Sequence, residues 1–281
     1  MSAKEPNGGT AGKERIAKRL ARAGVCSRRE AERMIADGRV AIDGETLTSP
    51  AVSVTAEARI TVDGKPVAKA ERTRLWRFHK PRGVLTTHRD PEGRPTVFDG
   101  LPKALGRLIS VGRLDYNSEG LLLLTNDGGL ARRLELPSGG WVRRYRVRAF
   151  GKVDAGRLEA LAAGITIDGV NYGPIQCGIE SQRGDNSWLA LSLKEGKNRE
   201  IRRVMEHLGL TVNRLIRIGF GPFALGKLAP GAIEQVPAKA IAEKLGKGGA
   251  GAKAAKAKPR ARKPAPGGRR KGGQARARRR R

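Results

Sequence analysis

The residues with the types and spacing for chemistry centre on one aspartate. Gly112-Arg113-Leu114-Asp115-Tyr116-Asn117-Ser118-Glu119-Gly120 runs directly into Leu121-Leu122-Leu123-Leu124-Thr125-Asn126-Asp127-Gly128. This places an acid on a loop between a basic residue and an apolar run that enters the core. A carboxylate mounted in this way can serve as a nucleophile or as a general base. Most loop aspartates merely cap a turn, and spacing alone favours that plainer role. Two further sets of side chains come into question. Tyr145 lies in an alternating stretch rich in arginine, and Arg199, Arg202 and Arg203 recur at helical spacing, where a solvated face is the default explanation. Cys26 and Cys177 have no CxxC or neighbouring histidine pattern, and His79, His88 and His207 are scattered. The pattern therefore predicts no metal site. No phosphate-cradling glycine motif is present. The expected chemistry uses side chains alone, without a cofactor.

Each candidate needs an element to hold it. Four leucines between glycine and Asn-Asp-Gly turn signals are too few to span a bilayer and read as a strand covered on both faces. From Trp141 to Phe150 the residues alternate: Trp141, Arg143, Tyr145, Val147 and Ala149 share one face, with Val142, Arg144, Arg146, Arg148 and Phe150 on the other. Asp154 to Gly164 reads as a helix capped by Asp154, with Leu158 and Leu161 inward. Ser187 to Leu193 alternates as a strand. Glu195-Gly196-Lys197-Asn198 then leads to a helix capped by Asn198, with Ile201, Val204, Met205 and Leu208 as its buried stripe. Val212 to Ile218 forms a late strand. Strands and helices without a regular β-α-β rhythm indicate an α+β fold, a mixed and mainly antiparallel sheet with few helices.

A smaller module precedes this region. Glu14 to Gly24 reads as a short helix with Ile16, Ala17, Leu20 and Ala23 on its apolar face. Ser27 to Glu30 forms a capping box before a second helix that buries Ala31, Met34 and Ile35. Alternating segments broken at Asp43-Gly44 and Asp63-Gly64 predict two hairpins. The charge is unevenly distributed. Of a net +30, the stretch Lys244 to Arg281 carries 16 basic residues and no acid, leaving +14 on the rest. That stretch has almost no large apolar side chain and is expected to be disordered in isolation. It should bind RNA, DNA or an anionic membrane, with an affinity that falls steeply with salt. No apolar segment follows Met1-Ser2-Ala3-Lys4, so neither a signal peptide nor a membrane anchor is expected, and the compartment is expected to be cytoplasmic.

The string from Gly112 to Gly128 resembles the signature of the RsuA/RluB family of RNA pseudouridine synthases. The resemblance implies that Asp115 is the catalytic aspartate. Arg144-Tyr145-Arg146-Val147 is similar to the family's tyrosine motif, which implies that Tyr145 stacks on the target base. Lys197-Asn198-Arg199-Glu200-Ile201-Arg202-Arg203 resembles the motif whose arginine, Arg202 in this register, pairs with the aspartate. Arg199 or Arg203 takes that place if the register shifts. Arg113, Leu114 and Leu215 would line the cleft. Leu20 to Glu32 followed by Gly38-Arg39-Val40 looks like the S-four-type RNA-binding domain, in which Arg28, Arg29 and Arg39 would meet phosphates. Lys80, in a Lys-Pro-x-Gly segment like the one that opens the family's catalytic domain, joins Arg199 and Arg203 as an expected RNA contact. The domains are then expected to be a flexible start over 1–13, the RNA-binding module over 14–67, a linker over 68–74, the synthase domain over 75–240 and the basic tail over 241–281.

The implied reaction converts uridine to pseudouridine in ribosomal RNA, with no metal and no small-molecule cofactor. Asp90-Pro91-Glu92-Gly93-Arg94-Pro95-Thr96-Val97-Phe98-Asp99 and the tail are similar to the RluB branch of that family, and this resemblance implies the 23S ribosomal RNA of the large subunit or its precursor particle as the target. The protein is expected to act as a monomer, away from membranes. Asp115 would be nucleophile or base, with an adjacent guanidinium favouring its ionised form. A non-enzymatic ribosome assembly factor would explain the charge equally well, but not the order of acid, tyrosine and arginine. An RNA-cleaving enzyme would lack a histidine pair or metal-binding acid cluster.

Overall fold

The computed structural model describes residues 13–246, and the expected flexible start and most of the basic tail lie outside them. At the front, helices α1 (Ile16–Arg22) and α2 (Arg28–Ala36) pack on a four-stranded sheet. The capping box forms: the Glu30 amide donates to Ser27 Oγ at 3.1 Å, and the Ser27 amide donates to the Glu30 carboxylate at 3.4 Å. Both Asp-Gly turns take left-handed geometry, with φ of 50° and 94° at Asp43-Gly44 and 51° and 74° at Asp63-Gly64. Such paired positive φ values match the twist of a tight hairpin. Ile16, Leu20, Ala31, Ile35, Val40 and Ile60 close a small core.

The rest of the described chain is organised by a nine-stranded sheet. Its main path runs Ile175–Arg183, Asn186–Leu193, Arg143–Phe150, Thr211–Phe220, Glu119–Thr125, Leu75–Lys80 and Ile233–Gln235. Neighbours along this path are antiparallel except at the centre. There Thr211–Phe220 and Glu119–Thr125 run parallel, with Arg217 opposite Gly120. Gly120 makes this seam possible: its φ is +105°, and a Cβ on it would overlap the Arg217 backbone, standing 2.7 Å from the Arg217 nitrogen.

Helices α3 (Gly128–Glu135), α4 (Ala155–Ala160), α5 (Glu200–His207) and α6 (Ala238–Gly246) cover parts of the sheet. The four leucines are sealed on both sides, as the apolar run predicts. Leu121 and Leu123 join Leu130 and Leu134 of α3, while Leu122 and Leu124 join Trp76, Phe78 and Leu108 on the other face. Full burial of each such side chain stabilises by about 1.5–3 kcal/mol. In Arg143–Phe150 one face alone is sealed: Tyr145, Val147 and Ala149 are buried, whereas Arg148 and Phe150 are exposed.

Three sequence expectations need correction. Trp141 and Val142 precede the strand, which begins at Arg143, because Val142 instead receives the Gly221 amide in a connecting loop. Asn198 does not cap α5. The capping position is Arg199, held left-handed at φ 49° and ψ 29° with no side-chain cap, and the Glu200 carboxylate accepts the Lys197 amide at 2.8 Å instead. The chain also stays ordered beyond Ala240, where the tail was expected to begin, since α6 runs to Gly246 with Ile241 and Leu245 packed against the core beneath Phe223 and Val236. Among the described residues, no helix is long and apolar enough to cross a membrane.

Candidate active site

Asp115 lies on the loop between the strands Ile109–Val111 and Glu119–Thr125, and backbone contacts fix that loop along its length. Glu135 accepts the Gly112 amide at 2.7 Å. The Thr86 hydroxyl donates to the Leu114 carbonyl at 2.8 Å and accepts the Leu114 amide at 3.3 Å. The Gly83 amide donates to the Tyr116 carbonyl at 2.9 Å, and the Ser118 amide turns back to the Asp115 carbonyl at 3.0 Å.

Lys80 supplies the central clamp. Its ammonium donates to the carbonyls of Pro81 at 3.1 Å, Tyr116 at 3.3 Å and Ser118 at 2.8 Å. All three of its protons have acceptors, and the side chain is fully buried. Lys80 is therefore not the RNA contact expected from sequence, because no phosphate can reach it. Burial pulls its pKa down to about 8, opposed by the charges of Asp115 and Glu119. A basic residue ending an otherwise apolar strand, just before Pro81, was the available sign of an inward-facing lysine.

The Asp115 side chain is half-buried and faces a cleft of about 830 Å³. That volume suits a nucleoside-sized ligand, since such pockets span roughly 300–1,000 Å³. Among the described residues its carboxylate makes no hydrogen bond and no ion pair. It does not cap the turn it sits on. Tyr145, Leu114 and Leu215 line the same cleft, each buried, together with exposed Arg113 and Arg199. Tyr145 comes from the strand Arg143–Phe150 and Leu215 from Thr211–Phe220, so the central seam of the sheet assembles what the sequence separates.

Arg202 is near this group but does not do what was expected of it. Its guanidinium donates to the carbonyls of Val212 at 3.1 Å and Asn117 at 3.2 Å, with Nε buried and unpartnered. No ion pair to Asp115 is present among the described residues; Arg202 ties α5 to the back of the aspartate loop instead. Burial and the charge of Arg199 lower its pKa, while the charge of Asp115 raises it, so the two groups sense each other across the loop.

Among the remaining expected RNA contacts, Arg28, Arg29 and Arg203 are exposed. Arg39 is exposed but engaged in a two-point pair with Asp63 at 2.8 and 2.6 Å. Sequence reading missed several cleft residues, Arg143, Glu200 and Arg217 among them. Arg217 was legible in principle, since it continues the inward alternation of Leu215. Among the described residues, no cluster of His, Cys, Asp or Glu is positioned to hold a metal ion.

Similarity to known proteins shows the family. A family model described as RNA pseudouridylate synthase matches residues 74–207, and an S4 domain model matches residues 14–60. An uncharacterized RNA pseudouridine synthase of Rickettsia felis is 48% identical over 228 residues, covering 81% of this chain and 99% of that protein. The ribosomal large subunit pseudouridine synthase B of Salmonella typhi is 45% identical over 223 residues, covering 77% of each chain. A crystal structure of a pseudouridylate synthase superposes with a TM-score of 0.58 at 28% identity, over 82% of this chain and 99% of that one. The chain belongs to the RNA pseudouridine synthase family.

Proposed function

We propose that this enzyme isomerises uridine to pseudouridine in ribosomal RNA, at a site in the 23S RNA of the large subunit, with Asp115 as the catalytic carboxylate. The observation that carries the reading is the state of that side chain. Its loop is clamped through the backbone by Lys80, Thr86 and Glu135, yet its carboxylate faces the cleft without a partner. A reactive group held in this way meets its substrate without reorganisation.

The chemistry follows from what isomerisation needs. The bond from C1′ to N1 breaks, the uracil turns, and a bond from C1′ to C5 forms, so no atom enters or leaves overall. Side chains suffice for that. Asp115 acts either as nucleophile at C1′ or as base toward a sugar proton, and both routes release the base as an anion. The target nucleotide must leave its stack, at a cost of a few kcal/mol. Tyr145, across the cleft, offers a replacement face worth about 1–3 kcal/mol. Arg202 acts as a positioning residue, holding the loop at Asn117.

The ribosomal substrate is supported by similarity to proteins named as large-subunit pseudouridine synthases and by a net charge of +30. We place the enzyme in the cytoplasm, acting as a monomer. Pseudouridine mapping of ribosomal RNA from cells lacking the protein tests the assignment. The expected result is the loss of modification at a large-subunit uridine, restored by the wild-type gene and not by an Asp115→Asn copy. An unchanged map would refute the ribosomal substrate.

A further inference from the structure

Arg217 is a charged side chain at a position where the strand faces the core. It is 3% exposed, its Nε donates to the Leu121 carbonyl at 2.7 Å, and its Nη2 is buried without a partner. Arg143 stands beside it. The register shift around Ile218 turns both Arg217 and Phe220 to the same side, and both guanidiniums lie over the Phe220 ring, at 5.0 Å for Arg143 and 5.5 Å for Arg217. Arg143 donates to the carbonyls of Trp141 and Lys194. Neither arginine has a carboxylate within ion-pair distance among the described residues. Glu200, an acid of the same cleft, is buried, and burial raises its pKa. Burial, reinforced by the charge of Arg217, lowers the pKa of Arg143. A buried cation beside a half-buried one, neither with an ion-pair partner among the described residues, is costly to hold, and an arriving anion relieves that cost.

The register indicates which anion. Tyr145 and Arg217 are cross-strand partners, so their side chains stand next to each other on the face lining the cleft. A base lying on the Tyr145 ring presents its edge to Arg217. We infer that Arg217, backed by Arg143, is the binding site for the uracil anion released when the C1′–N1 bond breaks, holding it while it turns. This inference rests on the assignments of Asp115 and Tyr145 above. In that step the bonding electron pair stays on N1 and its charge spreads to O2 and O4, which accept from the guanidinium. The pair that later forms the C1′–C5 bond comes from the ring, the C5 proton leaves to solvent, and N1 regains a proton.

The test uses the full-length enzyme in excess over an unmodified 23S RNA transcript carrying tritium at uridine C5, with tritium release as the readout of new C–C bond formation. Arg217→Gln is expected to slow saturated single-turnover release about 10²–10³-fold, the usual effect of removing a preorganised donor, with RNA affinity close to wild type. Arg217→Lys is expected to recover part of the rate. On 5-fluorouridine RNA, followed by nucleoside chromatography, the deficit shrinks, because the more acidic base needs less stabilisation as it leaves. If Arg217→Gln melts early, Arg143→Gln, at the rim of the pair, is expected to show the same dependence on the base. A loss of affinity at unchanged saturated rate would overturn the inference in favour of a phosphate contact. A deficit equal on both RNAs would also overturn it. Full activity in Asp115→Asn would defeat the functional reading itself, whereas full activity in Arg217→Gln with Asp115→Asn inactive would remove only this site.

Discussion

At the scale of single residues, the proposed function separates groups that react from groups that hold. Tyr145 is 8% exposed and lines the cleft, so its ring should matter more than its hydroxyl. Tyr145→Phe is expected to keep most of the single-turnover rate. Tyr145→Ala should lose a stack worth about 1–3 kcal/mol, or about 5- to 150-fold. Equal losses in the two variants would assign the work to the hydroxyl. Lys80 belongs to the holding group, and its pKa, lowered from 10.5 to about 8, makes a prediction about pH. Above pH 8 the folded protein gives up this proton, and with it one of the three hydrogen bonds that Lys80 donates and a positive charge near Asp115. Turnover should therefore fall as pH rises through about 8. Stability should move the other way. Between the folded and unfolded values of Lys80 the unfolded chain binds more protons, so its contribution to stability rises with pH. Rate profiles and thermal melts on the same samples check both signs; a rate loss that tracks melting would contradict the clamp.

At the scale of elements, the decisive feature is the parallel seam between Glu119–Thr125 and Thr211–Phe220, which joins the strand after Asp115 to the strand bearing Leu215 and Arg217. Gly120→Ala places a methyl group against the Arg217 backbone at a φ of +105°. The expected cost is at least about 3 kcal/mol in urea unfolding, with activity lost alongside it. A variant of normal stability would show that the seam can open without consequence. Much of this layout was readable beforehand. Four leucines with no polar alternate require two apolar covers, and the alternation from Arg143 to Phe150 requires only one. The seam itself was not readable, because a parallel pairing between segments about ninety residues apart leaves no local period. The fates of Lys80 and Arg202 were hidden for a related reason. Whether a cation meets solvent, an acid or a backbone carbonyl depends on which loop folds over it, and the Asp115 loop covers Lys80 while offering Arg202 the Asn117 carbonyl. Likewise the cap of α5 fell to Arg199 because the chain turns left-handed there, a choice that Asn198 in sequence does not reveal.

At the scale of the whole molecule, the proposed function divides affinity and chemistry between different parts of the chain. The charge is spread over the front module, the cleft rim and above all Lys244 to Arg281, whereas the carboxylate proposed to react is one side chain in a clamped loop. Removing the residues after Gly246, where α6 ends, should weaken RNA binding most at low salt and flatten the dependence of affinity on salt, since fewer counterions are released. The modified uridine should stay the same; a new site would mean that the tail reads sequence. The division is tested most directly by measuring tritium release and RNA affinity together for Asp115→Asn on the same 23S transcript. The expected outcome is no release at any enzyme concentration with binding within about twofold of wild type, the pattern of a group that acts on the transition state alone. Release at the wild-type rate would contradict the assignment of the catalytic carboxylate to Asp115.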